Sequence, residues 1–196
     1  MTVFEYASGL TSIVVGLAVA RILGGISTFS SEGGRSPYDW IVGGWCLTLL
    51  FTLVGFWMAG WVVLRGRTEI EFVTLFLWIV GTSFLYLAAA VLVPNATISD
   101  SIGGSTKLHP LRGSFYFYLG GHFAAVDLAQ IASGAGPFFG ELIPSLLVTG
   151  TLIGVSALGA VAKSDRTRAL HLAAWLLMMV VNMGFNVPVI REAGQP

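Results

Sequence analysis

The chain has 196 residues, of which 55% are hydrophobic and 10% are charged, and its ten basic side chains balance ten acidic ones. Because about a quarter of the residues in an average soluble domain are charged, this composition indicates a polytopic membrane protein of the all-α class. The balanced charge excludes a basic surface for nucleic acid, and the single cysteine, Cys46, excludes an intrachain disulfide and a thiolate metal site.

Six apolar segments, each long enough to cross a bilayer, follow one another along the chain. The connector between the second and third segments is so short that these two must be antiparallel neighbours. We therefore predict one transmembrane domain over residues 1–196, an all-α bundle. Its helices are predicted at about 4–28, 38–64, 70–93, 111–134, 141–161 and 169–190.

The first segment carries a stripe of small residues on one face of its helix. The stripe repeats every four residues and comprises Ser8, Ser12, Gly16, Ala20 and Gly24. In lipid such stripes let two helix backbones approach closely, so they mark packing faces. We expect this helix to be the central one of the bundle.

Tryptophans stand near both ends of the second segment, where indole rings prefer the two membrane interfaces. They are Trp40 and Trp45 near one end and Trp57 and Trp61 near the other. We expect all four to be interfacial anchors.

The fourth segment repeats the small-residue pattern and is the most polar of the six. Its stripe comprises Gly121, Ala125, Ala129 and Ser133, and its larger polar residues are His122, Asp127 and Gln130. Asp127 is our first candidate for a functional atom, because a short carboxylate in a membrane must find a donor, contact water or stay protonated.

Arg21 and Asp127 could form an ion pair between the first and fourth helices, but depth argues against it. Six spans make these helices antiparallel, which places the two residues on opposite sides of the midplane, roughly 15 Å apart at 1.5 Å per residue. We expect the long Arg21 side chain to extend to the nearer headgroups instead.

The sixth segment carries two amides one turn apart, Asn182 and Asn186. They could line a polar path with Arg21, Asp127 and Gln130, or hydrogen-bond neighbouring helices, which is commoner in membranes.

Haem would need axial ligands, and only His122 with His171 or Met178 is available. These are weak candidates, because their spacing places them at different depths.

Enzyme signatures give no support for catalysis. The sequence contains no Gly-rich phosphate loop, no zinc-binding His-Glu-x-x-His and no Gly-x-Ser-x-Gly elbow. We therefore expect a protein that is not an enzyme, without a catalytic residue, metal site or indicated cofactor.

Several short stretches of the first half resemble the opening of a family of small, uncharacterised bacterial multi-helix membrane proteins. They are Phe4–Tyr6, Ser12–Ala18, Arg21–Leu23, the aromatic Gly55–Trp57 and the third helix closing on Pro94. The resemblance implies a bacterial inner membrane, and it brings no activity, cofactor or catalytic residue.

Three hypotheses for function remain open. The first is a helical subunit that packs on itself or on a membrane partner; the second is a small channel or transporter near Asp127, Asn182 and Asn186. The third is a haem or quinone subunit of an electron-transfer complex.

Basic residues favour the cytoplasmic side, and they are more numerous at connectors one, three and five. Both termini are therefore expected on the periplasmic side.

Overall fold

The computed structural model describes residues 3–31, 37–64, 69–93, 113–132, 142–161, 164 and 166–178. All regular structure in these ranges is helical, which confirms the predicted all-α bundle. The helices are α1 (Val3–Ser31), α2 (Pro37–Leu64), α3 (Phe72–Leu92), α4 (Gly113–Ala132), α5 (Leu142–Val161) and α6 (residues 166–178). α1 to α5 begin and end within three residues of the apolar segments in the sequence. Residues 179–190 of the sixth predicted helix lie outside the described residues.

Local sequence explains where several helices begin. Pro37 opens α2, a position at which proline loses no helical hydrogen bond. Before α6, the Ser164 hydroxyl accepts a hydrogen bond from the Thr167 backbone N–H at 3.2 Å, and the Thr167 hydroxyl accepts one from the Ser164 N–H at 3.3 Å. This reciprocal pair is a capping box, which fixes the start of α6.

Three of the described helices are long and apolar enough to cross a membrane. The apolar spans are Glu5–Ser27 of α1, Trp40–Met58 of α2 and Phe72–Leu92 of α3. α4, which carries His122, Asp127 and Gln130, is not among them. The chain is therefore compatible with an integral membrane protein.

α3 and α4 form the most extensive contact between helices, with α1 and α2 packed on α3 and α5 packed on α4. α1 is the least buried of the three apolar spans, because 22% of its span is buried against 50% for α2 and 39% for α3. The expectation that α1 is the central helix is therefore wrong. Its small residues allow close packing, but they do not determine that the packing occurs within this chain.

Candidate functional site

Small residues bring α4 close to α3 and α5. A Cβ atom added at Gly121 would lie 3.0 Å from the Phe84 ring of α3, and one added at Gly81 would lie 3.5 Å from the His122 carbonyl oxygen. On the other side of α4, a Cβ atom added at Gly120 would lie 3.6 Å from the Ser156 Cβ of α5. α4 is therefore held between two helices, with its polar side chains at the two seams.

His122 lies at the seam between α4 and α3, and only 2% of it is exposed. Its Nδ1 is 2.9 Å from the Gly81 carbonyl oxygen. Because a carbonyl oxygen can only accept, Nδ1 carries the proton and Nε2 is left as the free acceptor of the neutral ring. The Phe56 and Phe123 rings each lie 4.9 Å from the imidazole, both edge-on. His122 is therefore fixed in orientation and tautomer inside an aromatic environment.

Asp127 lies at the other seam, between α4 and α5, and is partly buried. Its Oδ1 accepts a hydrogen bond from the Thr149 hydroxyl at 3.2 Å. Gln130, one turn further along α4, is buried with 9% of its surface exposed. Of the predicted path, Asp127 and Gln130 both lie on this part of α4.

Arg21 does not share that location. Its Nε donates a 2.8 Å hydrogen bond to the carbonyl oxygen of Val93. Val93 is the C-cap residue of α3. One turn on, the Gly25 backbone lies directly against the Val93 side chain. The last carbonyls of a helix lack partners within the helix and favour a cation, so Arg21 acts as a cap for α3.

We predict that Arg21→Leu lowers the free energy of unfolding by about 1–2 kcal/mol, because a carbonyl loses its charged donor. The measurement is thermal or denaturant unfolding of the purified protein in detergent. Arg166→Leu, at an exposed position of α6, is the control and should change stability by less than about 0.5 kcal/mol. Equal losses in the two variants would contradict the capping role.

Other hydroxyl groups are used within their own helices. They bond to backbone carbonyl oxygens four residues earlier at 2.8–2.9 Å. The residues are Thr48, Thr52, Thr82, Ser83 and Ser156. Such bonds occupy hydroxyls that could otherwise line a polar path.

A second cluster surrounds Trp45, near the opposite end of α4. Its ring centroid lies 5.1 Å from Phe115, 5.7 Å from Tyr116, 5.9 Å from His171 and 6.0 Å from Trp175. Trp45 is fully buried, so the prediction that it is an interfacial anchor is wrong. Since α2 is apolar on all sides, its sequence carried no signal to separate Trp45 from the exposed Trp40.

Nitrogen atoms in this cluster have no hydrogen-bond partner within the described residues: Trp45 Nε1, Trp175 Nε1 and His171 Nε2. A Cβ atom added at Gly159 of α5 would lie 2.6 Å from His171 Nε2. His171 Nε2 thus faces the α5 backbone. Within the described residues, the Trp45, Trp175 and Phe123 rings lie in sequence between His171 and His122, an arrangement unlike a facing pair of haem ligands.

The two small-residue stripes differ in what they face. Ala125 and Ala129 of α4 are buried, and Gly121 packs on Phe84. In α1 the Ser12, Gly16, Ala20 and Gly24 positions are exposed, and Ser8 is partly buried. Outside α1 itself, no described atom lies within 4 Å of a Cβ atom added at Gly16 or Gly24. At the margin of the stripe, the Ser12 hydroxyl accepts a 3.0 Å hydrogen bond from Trp57 Nε1 of α2. The α1 stripe therefore faces away from the described bundle.

Three residues of the predicted site, Ser133, Asn182 and Asn186, lie outside the described residues. Trp61 of the predicted anchors belongs to α2, but its side chain lies outside the part of the structure that is described. Within the described part of the chain, His, Cys, Asp and Glu side chains form no group of three or more that could hold a metal ion.

Comparison with models of known families, with curated proteins and with solved structures found no match.

Proposed function

We propose that this chain is a multi-pass protein of a bacterial inner membrane that acts as a non-enzymatic helical subunit. In this proposal it associates through α1 with a second copy of itself or with another membrane protein, and both termini lie on the periplasmic side. The observation that carries it is the outward-facing stripe of Ser12, Gly16, Ala20 and Gly24.

Physical reasons favour a helix as the occupant of this stripe. Lipid chains are as apolar as leucine, so helices in a membrane associate through close backbone packing rather than through the hydrophobic effect. Small residues at every fourth position supply such a surface, and α4 uses the same pattern inside the chain, where Gly121 accepts the Phe84 ring. The α1 stripe has the equivalent pattern, and at its middle, Gly16, no described atom of another helix lies within 4 Å of an added Cβ atom.

The test is Gly16→Leu, which places a large side chain in the middle of the stripe. We expect association to weaken about tenfold or more, since a loss of 1.4 kcal/mol of packing corresponds to a factor of ten. The measurement is molar mass by light scattering in mild detergent, together with mass spectrometry of any co-purifying protein.

Gly154→Leu is the matched control, because Gly154 also lies in open space on a helix, α5, but outside the α1 stripe. It should leave the association unchanged. A wild-type protein that is strictly monomeric and carries no partner would contradict the proposal, and so would equal weakening by both substitutions.

A further inference from the structure

We propose that the Asp127 carboxyl group is a reversible proton-binding site that opens to lipid along the seam between α4 and α5. This inference goes beyond the subunit role, and it starts from where the side chain lies. Its α4 neighbours Leu128 and Ile131 are 53% and 56% exposed, so they face outward from the bundle. Asp127 sits at the edge of this outward face, with Thr149 on its inner side.

α4, which carries Asp127, and the two helices packed against it, α3 and α5, contain no Lys or Arg side chain that could neutralise a carboxylate. α5, which supplies Thr149, has no ionisable side chain from Leu142 to Val161. α3 has only Tyr86, and His122 on α4 itself is bonded to Gly81 of α3. A bare carboxylate in such surroundings is costly, so the neutral, protonated carboxyl is the form that the seam favours.

A proton fits this position better than a metal ion. Hard cations such as Ca²⁺ and Mg²⁺ take six or more oxygen ligands, whereas the described hydrogen bond to Asp127 comes from one oxygen, that of Thr149. When water reaches the seam, the carboxyl proton passes to a water molecule. The remaining carboxylate then accepts the Thr149 hydroxyl bond, and the reverse transfer restores the neutral form.

A lipophilic carbodiimide tests this directly, because it reacts with protonated carboxyl groups that it reaches through lipid. The carboxyl proton moves to a carbodiimide nitrogen, the carboxyl oxygen bonds to the central carbon, and the acyl group then migrates to the other nitrogen. No atom leaves, so the chain gains the mass of one whole reagent molecule. The experiment treats the full chain in proteoliposomes with dicyclohexylcarbodiimide and maps the adduct by peptide mass spectrometry.

We expect one adduct, on Asp127, whose rate of formation falls about tenfold for each pH unit once the anion predominates. A water-soluble carbodiimide should instead label the exposed Glu69 and Glu71 ahead of α3 and leave Asp127 unmodified. Thr149→Val removes the donor that stabilises the anion, so it should raise the rate at Asp127.

Asp127→Asn should abolish the adduct, and Asp127→Glu, which keeps an ionisable group, should retain it. If the Asn variant fails to fold, the site mapped on the wild-type chain decides the question. Labelling of Asp127 by the water-soluble reagent alone, by neither reagent, or at a rate independent of pH would overturn the proposal. Peptide mass spectrometry locates the adduct at one residue, so the result of this experiment does not depend on whether the protein forms an oligomer.

Discussion

Replacing Trp45 by alanine is expected to lower the free energy of unfolding by about 3–5 kcal/mol, the cost of truncating a buried tryptophan. Trp45 is fully buried and contacts four rings that belong to α4 and α6. Its removal leaves a cavity at the point where these helices meet α2, and the Phe115, Tyr116 and Trp175 rings lose their edge-on partner. The measurement is thermal or denaturant unfolding in a fixed detergent.

Trp40→Ala is the matched control, because it makes the same chemical change five residues earlier on the same helix. Trp40 is 72% exposed, so its truncation should change stability by less than about 0.5 kcal/mol. Similar losses in the two variants would show that Trp45 does not tie α2 to α4 and α6.

The positions of the helices were predictable from the sequence because they depend on length and apolarity. A run of apolar residues bounded by Gly, Pro and charged residues must satisfy its backbone internally when it lies in lipid, and a helix does so. This is why the predicted segments and α1 to α5 agree closely in their bounds.

Which face of each helix is buried was not predictable in the same way. In α2, Leu49 and Leu53 are fully buried while Leu47, Phe51 and Val54 are about half exposed. A helix in water would separate such faces by polarity, but lipid makes no such demand, since leucine suits both the core and the hydrocarbon. The sequence therefore could not show that Trp45 is buried, or that the α4 stripe faces inward and the α1 stripe outward.

For the polar residues, the sequence did not predict the partners. The antiparallel order of the helices argued against an Arg21–Asp127 pair, and the structure gives Arg21 a bond to Val93 and Asp127 one to Thr149. Both contacts join residues at matching levels of neighbouring helices. The Val93 acceptor is a backbone carbonyl, which every residue possesses, so no residue type could have indicated it.

Gly159→Leu is expected to lower the free energy of unfolding by about 3 kcal/mol or more, at the upper end of the cost of overpacking a close-packed core. At Gly159, even a Cβ atom would lie 2.6 Å from both His171 Nε2 and Tyr116 Cε1. Neither ring is the free end of a flexible chain, since both pack against Trp45. The leucine side chain must therefore push α5 away from α4 and α6.

Gly154→Leu on the same helix separates this steric effect from a general effect of replacing glycine. Nothing lies within 4 Å of a Cβ at Gly154, so the substitution should be neutral or stabilising by up to about 1 kcal/mol, the helix-propensity gain over glycine. Unfolding of both variants in the same detergent measures the difference. If Gly159→Leu is as stable as Gly154→Leu, the close approach of α5 to His171 and Tyr116 does not hold the bundle together, and the Trp45 cluster must be anchored by α2, α4 and α6 alone.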